Sequence, residues 1–143
     1  MNIKETNNDS DIPKDSEVQR GNERILFVDD EIYLAEVGKE MLEDYGYIVE
    51  SMTSSKQALE MFEQHPDQFD LVITDYTMPE MTGEQLSRKI RLINPKIPII
   101  MCTGIILEPE TIKDMAFDKI LIKPIDMDDM ITIVRQVIDS SYS

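Results

Sequence analysis

Five side chains in this sequence are of kinds that handle phosphoryl groups and hard cations, and each stands at or just past the end of a short apolar run. Asp29 and Asp30 follow Ile25-Leu26-Phe27-Val28, Asp75 follows Leu71-Val72-Ile73, Thr103 follows the run Ile97 to Met101, and Lys123 follows Ile120-Leu121-Ile122. Carboxylates brought to close range repel one another and cannot all stay ionised unaided. A hard divalent ion relieves this, and Mg²⁺ suits it because it takes one or two carboxylates together with waters and a phosphate oxygen. Lys123 would add a compact positive charge and Thr103 a hydroxyl donor. Positioning and charge stabilisation supply nearly everything phosphoryl transfer needs, and a carboxylate can itself be the covalent acceptor. Each residue also has a plain structural reading. Asp-Asp after a strand commonly makes a turn or helix cap, Asp75 could cap the next helix, Thr103-Gly104 could be only a turn, and Lys123-Pro124 only a strand exit. Singly these residues say little, but together, each at the end of its own apolar run, they say much more.

The elements that must position them follow from periodicity. The apolar runs, with Tyr47-Ile48-Val49 as a further one, are short, rich in β-branched residues and nearly continuous, as strands buried on both faces should be. Between them lie stripes of helical period: Leu34, Gly38, Met41, Leu42 and Tyr45; Ala58, Leu59 and Phe62; Leu86, Ile90 and Ile93; then Met127, Met130, Ile131, Val134, Val137 and Ile138. All are expected to pack into the core. A fourth helix, around Pro109 to Ala116, is short and weakly patterned. Gly46 should end the first helix and Asn94-Pro95 the third. Strands alternating with helices imply an α/β domain with a parallel sheet covered on both faces. Right-handed crossovers make it doubly wound, with the five-stranded, flavodoxin-like order 2-1-3-4-5 the natural choice. In such sheets ligands sit at the carboxyl ends of the strands, near the switch in strand order. The first, third, fourth and fifth strands would bring the five side chains together there.

Composition narrows the function classes. At 143 residues the chain fits one domain, expected over 23–141, with a flexible polar tail or linker over 1–22. No second domain is expected, because the chain ends just after the fifth helix. A net charge of −15 repels phosphate backbones, so neither nucleic acid nor an anionic membrane is an expected partner. No apolar run is long enough to span a bilayer, and the N-terminus lacks a secretory signal. The single cysteine, Cys102, has no internal partner. These features point to the cytoplasm. His65, the only histidine, precedes a proline at an apparent helix end and reads as a solvated helix-end residue. There is no Walker loop and no Gly-x-Gly-x-x-Gly, so nucleotide binding is not supported.

Val28-Asp29-Asp30-Glu31, then Asp75-Tyr76-Thr77-Met78-Pro79-Glu80-Met81-Thr82-Gly83, then Thr103-Gly104 and Lys123-Pro124 together resemble the response-regulator receiver domain of two-component phosphorelays, from about Glu23 to Asp139. The lead-in from Gly21 to Glu31 is similar to receivers attached to hybrid sensor histidine kinases. The resemblance implies a signalling phosphoacceptor, not an enzyme with turnover, that assists its own phosphorylation and dephosphorylation. Asp75 would accept the phosphoryl group from a phosphohistidine on a sensor histidine kinase or histidine phosphotransfer protein. Asp30 would hold Mg²⁺ directly, Asp29 mainly through water, and the backbone carbonyl of Thr77 would complete the metal ligands supplied by the protein. Thr103 and Lys123 would bind the phosphoryl oxygens, and the change would be read by a downstream protein target. Gly83 would shape the loop by adopting a backbone form that other residues resist.

Three departures from the family pattern matter. Ile120 stands where members often carry a reporter Tyr or Phe. The stretch from Gly104 to Lys123 is slightly short. Ile105, bulky and apolar, lies two residues beyond Thr103, where it should hinder water and slow loss of the phosphoryl group. Two other readings compete. A phosphohydrolase of the haloacid-dehalogenase type usually carries a second Asp two residues after its nucleophile, where this chain has Thr77, and a cap domain. A receiver-like binding module that works without phosphorylation would not need the complete set of acidic, hydroxyl and lysine residues.

Overall fold

The computed structural model describes residues 20–141. Most of the expected tail, 1–19, lies outside the described residues. The elements are β1 (Arg24–Val28), α1 (Ile32–Asp44), β2 (Ile48–Met52), α2 (Ser55–Gln64), β3 (Leu71–Asp75), α3 (Gly83–Ile93), β4 (Ile99–Thr103), α4 (Pro109–Ile112), β5 (Lys119–Ile122) and α5 (Met127–Ser141). All strand pairings are parallel, in the order β2-β1-β3-β4-β5. This is the doubly wound, flavodoxin-like sheet expected from the sequence.

Burial on both faces holds for the inner strands only. Every residue of β3 and β4 is buried, and β1 is buried from Ile25 onward. β2 and β5 are edge strands and alternate or stay half-exposed. The sheet separates two cores. Phe27, Leu42, Ile73, Met130, Val134 and Ile138 belong to the face covered by α1 and α5. Val28, Phe62, Val72, Leu86 and Ile90 belong to the face covered by α2 and α3. Two stripe residues at helix ends, Ile93 (38% exposed) and Met127 (45%), stay outside the core.

Local chemistry sets the helix limits. Ser54 caps α2 by accepting from the Gln57 N–H at 3.1 Å. Thr82 and Gln85 form a reciprocal capping box at the start of α3, at 3.0 and 3.1 Å. Gly46 ends the α1 turn with φ +101°, a conformation that disfavours residues bearing a Cβ. Asn94 caps the C-terminus of α3, and the exposed His65 does so for α2. Gly38 sits inside α1, where glycine costs about 1 kcal/mol relative to alanine. A Cβ there would lie 2.4 Å from the buried Phe27 ring, so the small residue makes room for the large one.

The expected fourth helix is cut to one turn, Pro109–Ile112, with no buried residue. Polar bonds from α3 hold the segment that follows. Arg88 donates to the Asp114 carbonyl and pairs with Glu84, while Glu84 accepts from the Ala116 N–H at 3.2 Å. Arg91 pairs with Asp118 at 2.6 Å, and Asp118 also accepts from the Ile99 N–H at 2.7 Å. With no residue of the turn buried, the chain follows these bonds and the packing of Phe117 against the core rather than continuing the helix. At the opposite end of the sheet Arg135 of α5 binds Glu23 at 2.8 and 3.2 Å, and the Gly21 N–H donates to Tyr45 at 3.0 Å. Gly21 and Glu23 are therefore bonded into the domain.

Candidate functional site

Because β1, β3, β4 and β5 lie side by side in parallel, their carboxyl ends open on one place. Asp29 and Asp30 leave β1 there, and Asp75 is the last residue of β3. Oxygens of Asp29, Asp30 and Asp75 all lie within 4.8 Å of one another. Lys123, just past β5, puts its Nζ 3.0 Å from Asp29 Oδ2 and 3.0 Å from Asp75 Oδ1. Asp29 and Asp75 are buried, at 4% and 7% exposed, and Asp30 is half-buried.

The plain readings of these residues are partly true as well. Asp29 Oδ1 accepts from the Glu31 N–H at 2.9 Å, a side-chain turn that starts α1, while its other oxygen faces Lys123. Thr103 is buried at the end of β4, and its hydroxyl is engaged with the Ile105 backbone, accepting from the N–H at 3.1 Å and reaching the carbonyl at 3.3 Å. It makes no hydrogen bond to Asp75 among the described residues. The Lys123–Pro124 peptide is cis. Asp75, by contrast, caps nothing, since Thr82 caps α3. Thr77 lies exposed in the loop two residues after Asp75, and Ile105 is half-exposed beside Thr103.

The loop that returns from β3 is held close to Asp75. A Cβ on Gly83 would lie 2.2 Å from the Asp75 carbonyl oxygen, and the Gly83 N–H donates to Tyr76 at 2.8 Å. Gly83 is therefore needed for close approach rather than for an unusual φ, a correction to the sequence expectation. The left-handed residue of the loop is Glu80, φ 71°, at the centre of a tight turn closed by the Met81 N–H on Pro79 at 2.7 Å.

Electrostatics follow from this packing. Burial pushes the Asp75 carboxyl above its ordinary range; Lys123 pulls it back, and Asp29 and Asp30 push it up further. Burial works against the Lys123 ammonium, but its bonds to Asp75 and Asp29 outweigh this and leave it raised. Cys102, beneath the site, is buried and its thiol is pushed up to about 12, so it is a packing residue. The ion pair between Asp29 and Lys123 has no signal in the sequence, because the two residues are distant along the chain. The donor set of clustered carboxylates fits a hard, oxygen-seeking divalent cation.

A doubly wound sheet with an acidic cluster and a lysine at its strand ends defines a class of phosphoryl-handling domain. The response regulator receiver domain family model matches residues 25–135, and the chain belongs to that family. As a family, receivers are the phosphoacceptor signalling domains of two-component systems, and phosphorylation and Mg²⁺ binding are typical of them. Among curated proteins, the chain is 34% identical over 122 residues to the transcriptional regulatory protein ZraR of Escherichia coli K12, covering 83% of this chain and 27% of that protein. It is 30% identical over 122 residues to the sensor kinase CckA of Brucella abortus, covering 83% of this chain and 13% of that protein. The chain thus spans only a minor part of the length of these relatives. A crystal structure of a receiver domain protein from Clostridium thermocellum matches with a TM-score of 0.75 at 28% identity, over 84% of this chain and 97% of that one. Among the described residues no helix is long and apolar enough to cross a membrane.

Proposed function

We propose that Asp75 takes a phosphoryl group from a phosphohistidine on a sensor histidine kinase or histidine phosphotransfer protein in the cytoplasm, and that the change switches binding of a downstream protein. The observation that carries this reading is Lys123 Nζ lying 3.0 Å from both Asp29 and Asp75, inside the carboxylate cluster. An Asp75 oxygen attacks phosphorus, the phosphorus–nitrogen bond breaks, and its electron pair leaves with the imidazole, giving an acyl phosphate. Asp29, Asp30, Asp75 and the Thr77 carbonyl are the residues that would hold Mg²⁺, which supplies charge neutralisation to the transferring oxygens. Lys123 already touches the acceptor carboxylate, so it needs little motion to pair with a phosphoryl oxygen. Thr103 gives up its bonds to the Ile105 backbone to donate to another. With Ile120 in β5 no aromatic ring can report the change, so the β4–α4 loop carries it. The domain boundary we propose lies near Gly21, where backbone bonding to the domain is already present.

Intact-mass analysis after incubation with Mg²⁺ and a small phosphoryl donor tests this. The wild type should gain a single phosphoryl group, and Asp75→Asn should gain none. A folded wild type without the adduct, or an adduct that survives in Asp75→Asn, would overturn the reading.

A further inference from the structure

α2 opens on two serines with different partners. Ser54 caps its own helix, accepting from the Gln57 N–H at 3.1 Å. Ser55, the first helical residue, is 1% exposed, and its hydroxyl leaves the helix to donate to the Pro79 carbonyl at 3.4 Å, in the loop after β3. That carbonyl is the one partner of the Ser55 hydroxyl among the described residues. A buried hydroxyl is tolerated where it is bonded and is costly where it is not. The cap is already supplied by Ser54, so the work of Ser55 lies in the loop it reaches.

The Pro79 carbonyl is a junction of that loop. It accepts from the Met81 N–H at 2.7 Å as well as from Ser55, so both of its lone pairs are used. The turn so closed carries Glu80 at φ 71°, in the left-handed region that a residue with a Cβ enters reluctantly. Such a conformation lasts only where surrounding bonds hold it. Thr77, two residues before Pro79, is exposed and has no hydrogen bond of its own among the described residues. Its place is therefore set by its neighbours. On one side Tyr76 is tied to β4 and α3, its N–H donating to Cys102 at 2.7 Å and its carbonyl accepting from Gly83 at 2.8 Å. On the other, Met78 is buried in the core covered by α2 and α3, and Ser55 is the polar tie from α2 to Pro79. We propose that Ser55 is a positioning residue for the metal site: its bond fixes the turn at Glu80 and, through it, the Thr77 carbonyl among the oxygens that would hold Mg²⁺. The effect on metal rests on the Mg²⁺ reading given above. The hold on the turn does not.

Amide NMR of the full chain tests this in two steps. Without metal, Ser55→Ala should quicken hydrogen exchange at Met81 about fivefold, the weight of one ordinary hydrogen bond, and leave Gly83, bonded to Tyr76, as in the wild type. On titration with Mg²⁺ the same variant should bind about fivefold more weakly than the wild type. Ser55→Cys keeps the volume but is a poor donor, so it should behave as Ser55→Ala does, and it carries both measurements if the alanine variant does not fold. In a Glu80→Asn background, where asparagine tolerates the left-handed turn, Ser55→Ala should weaken Mg²⁺ binding by less than about twofold relative to Glu80→Asn itself. Unchanged Mg²⁺ affinity in Ser55→Ala, whatever the exchange at Met81, overturns the proposal. So does Ser55→Cys that matches the wild type, since the residue then only fills space, or the full loss in the Glu80→Asn background. A wild type that binds no Mg²⁺ overturns the metal reading instead, and the exchange at Met81 still decides whether Ser55 holds the turn.

Discussion

Asp75 is held where ionisation is disfavoured. Its neighbours are two further carboxylates and one lysine, and burial outweighs the lysine, so its pKa is raised from the ordinary 3.8. A folded state that holds a proton more tightly than the unfolded chain is fully stabilised by that group below the unfolded pKa and loses the contribution as pH rises through the folded pKa. At neutral pH, without divalent ions, the wild type therefore carries an ionised carboxylate at a cost. Asp75→Asn, neutral at every pH, should be the more stable by about 1 kcal/mol, a typical size for a change at a buried polar group. Thermal unfolding across pH would show the gap opening above the ordinary carboxylate range and closing in acid. A variant less stable than wild type at neutral pH would mean that the Lys123 bond outweighs burial. The arrangement that would fit Asp75 for the acceptor role proposed above also makes it costly, as functional groups often are.

At the level of elements, Gly38 and Phe27 form a matched pair. Glycine in α1 is unfavourable by propensity, but a methyl there would run into the Phe27 ring at 2.4 Å. Gly38→Ala should destabilise the wild type by about 1–2 kcal/mol through overpacking. On a Phe27→Leu background the same change should stabilise by up to about 1 kcal/mol, because only the propensity gain remains. Urea unfolding of the four proteins gives the coupling directly, and additive effects would show that the ring moves aside freely. α4 shows the reverse case, where side chains of another element decide an element's length. Arg88 and Glu84 of α3 bind the backbone at Asp114 and Ala116, beside Phe117 packed against the core, while no residue of Pro109–Ile112 is buried.

Over the whole molecule, a net charge of −15 spreads self-repulsion through a small domain. The close ion pairs, Arg135 with Glu23 at 2.8 Å and Arg91 with Asp118 at 2.6 Å, are short-range and partly shielded from salt. The repulsion is long-range and is screened. Raising sodium chloride from about 0.01 to 0.15 M, over which the screening length falls from roughly 30 to 8 Å, should therefore raise the thermal midpoint. A fall on adding salt would show that the ion pairs dominate instead.

The order of strands and helices, the convergence of Asp29, Asp30, Asp75, Thr103 and Lys123 on one end of the sheet and the Gly46 stop were all legible in the sequence, whereas the helix cap offered for Asp75 falls to Thr82 and Gln85 instead. Periodicity, capping chemistry and the right-handed crossover are local or topological rules that a sequence carries openly. Contacts between residues distant along the chain were not legible. Lys123 bridging Asp29 and Asp75, Arg88 and Glu84 ending α4, Gly83 against the Asp75 carbonyl and Ser55 on the Pro79 carbonyl all depend on groups meeting across the fold. Residue types and their places after successive strands determined which groups gather at the candidate site, because the strand ends must converge in this topology. Only the tertiary structure decided how each group is paired, buried and charged, since that depends on distances of a few ångströms between elements that the sequence does not place beside one another.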